Sequence, residues 1–476
     1  NKCAQLMPHK NKKFIDKQSK FVLKWHIKNQ EKLGEKMSNS KLIVPKKLQG
    51  FWELMPKEQM VFSNMLDTIE NVFKANSFVP LDTPVLEYSE TLLAKSGGDT
   101  DKEVYRFTKG NTDMCMRYDL TVPLARFVSM YKNELSFPFK RYQIGKVYRG
   151  ERPQKGRFRE FYQCDADIIG NETLSLIADA ECIKLFEKCF KALNLEVEIN
   201  VSNRKIIAGY IQEIGKEDKT TDILIVLDKL EKIPFDEAMY QLKEIGLSEK
   251  ESENIINLTK TQGNAEEIEE KLKNFSQNPL FQTGLSELLE VDSYLKAFNC
   301  TSMIYNLSII RGHNYYTGTV FEGFLKDKKS LGAVGGGGRF ENLCSYFSET
   351  KMPGVGMSVG VTRLYDLLMK EGYFDLSKTN ETECAIITFD ETLMDGLKIT
   401  SALRENGVKA DCLYENKSFK SKMKEANRRA VKYVLIVGED EVKSQQYTLK
   451  NMQTSVQNKL TLEEIVKEIK SDRMWY

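Results

Sequence analysis

Between residues 56 and 78 the apolar side chains Val61, Met65, Ile69, Val72 and Phe73 recur at the spacing of a single helix face, which predicts a helix there. A proline-punctuated extended piece, residues 78–87, follows. Aromatic and aliphatic runs then predict strands over 104–108, 114–119, 139–149 and 159–169, before a helical pattern returns over 171–193. Residues 205–296 are rich in Lys, Glu, Leu and Ile and lack strand alternation, so they read as a helical insertion. Strand patterns resume over 302–311 and 315–324, and two glycine-spaced segments lead into a helix near Arg363. Beyond a polar linker at 375–382, strands over 385–389, 409–412 and 433–437 alternate with helices near 393–406, 418–431 and 461–470, the pattern of a small α/β unit with a mostly parallel sheet.

Composition narrows the class. The 476 residues are long enough for two or three domains, and no stretch of about 18 apolar residues suggests a membrane span. Nine cysteines without a C-x-x-C pair point to reduced thiols in a cytoplasmic setting. Three histidines, His9, His26 and His313, leave one for nearly the whole folded body, which excludes most histidine-based catalysis and histidine-ligated metal sites. The net charge of +2 conceals an uneven distribution: residues 1–36 carry ten Lys against one Asp and two Glu, a local +7, so residues 37–476 carry −5. Met37 directly precedes a normal domain entry and reads as the natural start, with residues 1–36 an extension upstream of it; intact-mass peptides from before Met37 in the natural protein would sink that reading. A disordered basic arm that helps bind nucleic acid is the alternative.

The stretch 139–170, FKRYQIGKVYRGERPQKGRFREFYQCDADIIG, reads as strand, turn-rich loop and strand, because Pro153 and Gly156 interrupt two apolar runs. Period-two alternation puts Tyr162, Cys164, Ala166 and Ile168 on a packing face and Arg159, Phe161, Gln163, Asp165 and Asp167 on the other, as if lining a polar pocket. Residues 140–160 hold eight Lys/Arg against two Glu, which suits phosphate or nucleic acid. A solvated edge hairpin is the bland alternative.

The run Arg149 to Gly156 with the FYQCDADIIG after it resembles motif 2 of class II aminoacyl-tRNA synthetases in the form typical of histidyl-tRNA synthetases. Val79 to Glu87 resembles motif 1, and Met116 to Thr121 the family's amino-acid-binding strand. Arg311 to Gly318 and Gly335 to Phe340 resemble its two histidine-specific signatures, and Gly354 to Arg363 its motif 3. His313-Asn314 replace the usual Leu-Asp, Phe340 a common Tyr, and Thr362 the usual Glu. The resemblance implies an α+β catalytic domain built on an antiparallel sheet flanked by helices over 46–375, interrupted by the helical insertion at about 205–296. It further implies an α/β anticodon-binding domain over 383–476, leaving 1–45 as a basic extension.

The same resemblance implies ATP-dependent joining of L-histidine to tRNA(His) by a cytoplasmic homodimer, with no membrane partner. ATP with Mg is the substrate complex, and no tightly bound cofactor or protein-held metal is expected. Arg311, Arg149 and Gln163 would be the catalytic set, with Arg149 on the α-phosphate, Arg363 on the γ-phosphate, and Arg311 between the α-phosphate and the histidine carboxylate. Phe158 would stack on adenine and Glu151 accept its exocyclic amine. Asp119, Thr121 and Gln163 would take the amino group and Asp167 and Tyr316 the imidazole, with Leu120 and Tyr315 also in the histidine-binding set. Arg152 and Gln154 would meet the acceptor end of tRNA, and Lys417, Lys420, Lys422, Lys424, Arg428 and Arg429 the anticodon end, unless that run is a plain solvated helix face. Gly356 to Gly360 matches the G-x-S-x-G elbow of hydrolases, but no histidine follows His313 to serve it. The glycine run lacks the G-K-[ST] of a P-loop. A non-catalytic synthetase paralogue that regulates another enzyme is the remaining alternative.

Overall fold

A computed structural model describes residues 42–93, 103–152, 156–230, 233–310, 315–376 and 381–472. Gln154, Arg311 and His313-Asn314 lie outside the described residues, as does the basic stretch 1–36. The chain divides into two compact units, up to Phe51 and from Trp52, and the second carries every regular element of the described residues.

In chain order the strands begin with β1 (Val79–Pro80) and a small antiparallel sheet of β2 (Leu86–Tyr88), β3 (Arg106–Lys109) and β4 (Thr112–Met116), ordered β2-β4-β3. Then come β5 (Phe139–Tyr148), β6 (Glu160–Ile169), β7 (Val197–Asn203), β8 (Gln262–Gly263), β9 (Met303–Asn306), β10 (Thr319–Leu325), β11 (Gly335–Phe340) and β12 (Gly354–Val359). With β1 these form one nine-stranded sheet, ordered β1-β5-β6-β12-β11-β10-β7-β9-β8. Its centre, from β5 to β7, is antiparallel throughout; parallel pairs occur only toward the ends, β1 with β5 and β7 with β9.

Helix Pro56–Ala75 starts with proline at its first turn, where no N–H is needed, and buries Phe62, Met65, Ile69 and Phe73. Phe62, one residue past the expected Val61, is the side chain that reaches the core. Helix Ile177–Ala192 packs Cys182, Phe186 and Phe190 into the same core, against Ala166 and Ile168 of β6. The opposite face of β6 is also buried, because helix Thr121–Tyr131 joins Ile169, Tyr315 and Phe340 in a second cluster on that side. The polar face read from alternation therefore opens into a closed pocket. Residues 204–297 are helical as the pattern predicts, except that β8, two residues long, pairs with β9 and completes the sheet's edge.

The C-terminal sheet consists of β13 (Cys384–Thr388), β14 (Ala410–Cys412), β15 (Tyr433–Val437), β16 (Tyr447–Asn451) and β17 (Gln457–Leu460). β13 alternates sides: Cys384 and Ile386 pack with helices Leu393–Glu405 and Leu462–Ser471, while Ala385 and Ile387 pack with Ala426 of helix Phe419–Arg428. The expected mostly parallel sheet is half antiparallel. β14-β13-β15 are parallel, but β16 and β17 add a hairpin whose polar residues carry little strand signal. Among the described residues no helix is long and apolar enough to cross a membrane.

Candidate active site

Strand register builds the floor of the site. Across β5–β6, Arg141 pairs with Asp167, Gln143 with Asp165 and Gly145 with Gln163; across β6–β12, Asp167 faces Gly356 and Asp165 faces Ser358. Glycine is required at two places around it. A Cβ on Gly356 would overlap the Asp167 carboxylate, and one on Gly338 would sit 2.9 Å from the Tyr316 ring.

Above this floor lies a small enclosed cavity of about 20 Å³ lined by Asp119, Thr121, Gln163, Asp165, Asp167, Tyr315, Tyr316, Phe340 and Ser358. Asp119 Oδ1 accepts hydrogen bonds from the backbone N–H groups of Thr121 (3.2 Å) and Val122 (3.0 Å), which starts helix Thr121–Tyr131 and fixes the carboxylate. Gln163 Nε2 donates to Ser358 Oγ at 3.0 Å, while Gln163 Oε1 has no partner among the described residues. Burial pushes the Asp165 carboxyl up to about 7, with the neighbouring Asp167 adding to the effect and Arg141 opposing it. Asp167 is pushed up to about 6, again by burial against the pull of Arg141. Burial also raises the phenols of Tyr315 and Tyr316. Leu120 does not join the cavity: its side chain is fully buried elsewhere, and its carbonyl accepts from Arg141 Nη2 at 2.9 Å.

A larger cleft of about 520 Å³ adjoins the cavity and shares Gln163, Tyr316 and Ser358 with it. Arg149, Glu151, Arg157, Phe158 and Arg363 line it together with the backbone of Gly335 to Gly337. The Arg149 guanidinium lies 4.3 Å from the Tyr118 ring centroid and 5.1 Å from that of Phe161, two cation–π contacts. Arg363 Nη2 donates to the Leu331 carbonyl at 2.7 Å, and its Nε has no hydrogen-bond partner among the described residues. Burial and the nearby Arg157 lower the pKa of Arg363. Glu151 accepts from Arg157 Nη1 at 3.1 Å, and Phe158 packs against Trp52 with ring centroids 5.3 Å apart. Arg152 is exposed at the edge of the loop.

Several side chains take roles that charge counting missed. Arg141, counted in the basic hairpin, points inward and is wholly buried; Lys146 and Arg157 are paired with Glu160 and Glu151, so the hairpin is less cationic than its composition. Opposed charges at registered positions of a hairpin were the available signal for Arg141. Ser358, set aside as a hydrolase nucleophile, orients Gln163. Arg339 of the glycine-rich signature faces away from the cavity and forks onto Asp179 with Nε 3.1 Å from each oxygen. Thr362 Oγ1 accepts from the Tyr162 backbone N–H at 2.8 Å, and Phe340 packs edge-on to Tyr315 at the cavity wall. In the C-terminal unit Lys422 is buried with Nζ 2.9 Å from the Thr388 carbonyl, which removes it from the charged face. No cluster of three or more metal-holding side chains occurs among the described residues.

Residues 383–472 match the family model of an anticodon binding domain, which puts the chain among proteins that handle tRNA. Residues 50–364 match that of histidyl-tRNA synthetase. The chain is 42% identical over 435 residues to the histidine–tRNA ligase of Clostridium tetani, covering 90% of this chain and 99% of that one. It is 42% identical to that of Finegoldia magna, over 90% of this chain and all of the other. The crystal structure of histidyl-tRNA synthetase from Nostoc superposes with a TM-score of 0.82 at 32% identity, over 90% of this chain and 100% of that one. The chain belongs to the histidyl-tRNA synthetase family.

Proposed function

We propose that the protein ligates L-histidine to tRNA(His) in two steps, forming histidyl-adenylate from ATP and then transferring the histidyl group to the terminal ribose. The observation that carries this reading is the junction at Gln163, where a cleft bearing Arg149, Arg157 and Arg363 meets a cavity bearing Asp119, Asp165 and Asp167. A polyanionic phosphate chain and an amino acid with a cationic ammonium are the two ligands such neighbouring sites would hold in contact.

In the first step a carboxylate oxygen of histidine attacks the α-phosphorus and the bond to diphosphate breaks. The protein's task is alignment and charge neutralisation rather than covalent chemistry. Arg149, in contact with the Tyr118 and Phe161 rings, would hold the α-phosphate; Arg363 would hold the γ-phosphate; Phe158 would stack on adenine and Glu151 accept its exocyclic amine. Arg311 would bridge the α-phosphate and the substrate carboxylate. ATP would arrive as its Mg complex. Asp119, Thr121 and Gln163 would receive the ammonium, and Asp167 and Tyr316 the ring. An apolar isostere would leave those buried groups unpaired at about 1–3 kcal/mol each, which supplies selectivity. In the second step the ribose hydroxyl attacks the adenylate carbonyl, its proton passes to a phosphate oxygen near Gln163, and AMP leaves.

Residues 46–375 would form the catalytic domain and 383–476 the anticodon-binding domain of a cytoplasmic enzyme, with Arg152 and Gln154 meeting the acceptor end. The exposed side chains Val79, Leu86, Tyr88 and Phe107 around the small β2-β4-β3 sheet support a homodimer formed on that side. Histidine-dependent ATP–diphosphate exchange, followed by charging of tRNA(His), tests the reading. Exchange driven by another amino acid only, or none from folded protein, would overturn it.

A further inference from the structure

We infer that Arg141 is a positioning residue for histidine recognition: buried beneath the acidic cavity, it holds Asp167 as an anion in register with Asp119, so that its loss costs histidine affinity rather than turnover. The inference rests on the proposed function. Three observations carry it. First, the Arg141 side chain is fully buried and is the registered cross-strand partner of Asp167, with Nη2 2.9 Å from Asp167 Oδ2. Second, the same Nη2 donates to the Leu120 carbonyl at 2.9 Å, and Leu120 lies between Asp119 and Thr121. One guanidinium thereby ties the acid that would face the ring to the segment that would face the ammonium. Third, Arg141 Nε and Nη1 have no hydrogen-bond partner among the described residues, whereas the structural Arg339 uses both Nε and Nη2 on Asp179, Leu174 and Ser175. Arg141 is thus less fully satisfied than the structural Arg339, and its ion pair with a cavity-lining acid is the main contact it makes on that side.

The charge balance points the same way. Asp167 is faced by Asp165 on its own strand, by Asp119 from the start of helix Thr121–Tyr131, by Tyr315 and Tyr316 before β10, by Ser358 of β12 and, from helix Ile177–Ala192, by Cys182, whose thiol burial keeps neutral. Burial favours the protonated acid, Arg141 opposes it, and Asp119 adds a smaller push in the same direction as burial. A protonated Asp167 presents one acceptor fewer to a ring N–H, so the cation governs how well the ring is received.

Arg141→Gln keeps donors without charge, and Arg141→Lys keeps charge with less reach. In histidine-dependent ATP–diphosphate exchange, Arg141→Gln should raise KM for histidine by about tenfold or more with kcat within about threefold and KM for ATP unchanged. Its KM for histidine should fall back toward the wild-type value between about pH 6.5 and 8.5, as Asp167 regains its charge. Arg141→Lys should keep the wild-type pH profile and a KM within about threefold. A wild-type KM and pH profile in Arg141→Gln, or equal impairment in both variants, overturns the inference. If Arg141→Gln does not fold, Asp167→Asn removes the anion that Arg141 would hold: KM for histidine should rise by about tenfold or more with kcat within about threefold, and an unchanged KM overturns the inference. Wild-type protein without histidine-dependent exchange would instead defeat the functional reading, so the two failures are distinct.

Discussion

Gly356 and Asp167 face each other across adjacent antiparallel strands, and the carboxylate of one fills the space that a side chain on the other would need. The glycine in motif 3 is therefore a condition for the acid in β6, although the two are far apart in sequence. Gly356→Ala should displace Asp167 and raise KM for histidine by about tenfold or more, while KM for ATP stays near wild type. Steady-state exchange kinetics with each substrate varied in turn measure the contrast. Equal losses for both substrates would mean that the strand, not the carboxylate, had moved.

Arg339 and Asp179 form a buried, forked ion pair away from the cavity, reinforced by donation from Arg339 Nη2 to the Leu174 and Ser175 carbonyls. Removing one member leaves the other charged and unpaired in the core, which costs about 3–5 kcal/mol. Arg339→Met should accordingly unfold at lower temperature or denaturant concentration, yet retain its histidine and ATP KM values at low temperature. Chemical denaturation checks the first expectation and exchange kinetics the second. A stable Arg339→Met protein with impaired histidine binding would place Arg339 in the site after all.

The pair Asp165 and Asp167 makes stability depend on pH. Both carboxyls are raised above the ordinary aspartate value of 3.8, to about 7 and about 6, chiefly by burial. The folded state thus retains protons that the unfolded chain has already released. The contribution is fully present below about pH 4 and is lost as pH rises through about 7. Asp165→Asn removes that loss, so it should raise the melting temperature of the ligand-free protein more at pH 8 than at pH 5. Saturating L-histidine should shrink the difference, because the bound ammonium supplies the missing cation. Thermal unfolding at the two pH values, with and without histidine, measures both; a gain no larger at pH 8 would contradict the assignment.

How far the sequence revealed this depends on which physical signal each element carries. The β5–β6 hairpin was legible to within a residue, since apolar runs broken by Pro153 and Gly156 leave little freedom in its ends. The β16–β17 hairpin was not, because Gln457–Leu460 is a polar edge strand that buries almost nothing. Gln163, Asp165 and Asp167 were recognisable as one polar face from alternation alone, but what opposes that face is a matter of register between distant strands. Arg141 was therefore counted with the surface cations, although the assembled sheet turns it inward onto Asp167. Local sequence specifies which residues share a face, and only the assembled sheet specifies what that face meets.

Helix Phe419–Arg428 shows the same limit in a form that experiment can separate. Its lysines look alike in sequence, but Lys422 is buried and donates to the Thr388 carbonyl, while Lys420 and Lys424, with Lys417 just before the helix, are exposed. Arg428 pairs with Glu425, and Arg429 donates to Asp411 at 2.8 Å, which further thins the charge available to a partner. Lys422→Met should destabilise the C-terminal unit through an unpaired carbonyl at about 1–3 kcal/mol, with little direct effect on tRNA affinity of the folded protein. Lys420→Ala/Lys424→Ala should leave unfolding unchanged and weaken tRNA binding. It should also reduce the slope of log affinity against log salt by about 0.7–0.9 for each phosphate that is no longer neutralised. Filter-binding titrations over a range of salt concentrations, paired with denaturation of each variant, test the division. If the double variant binds tRNA with an unaltered salt slope, this helix is a solvated face and the anticodon arm docks elsewhere.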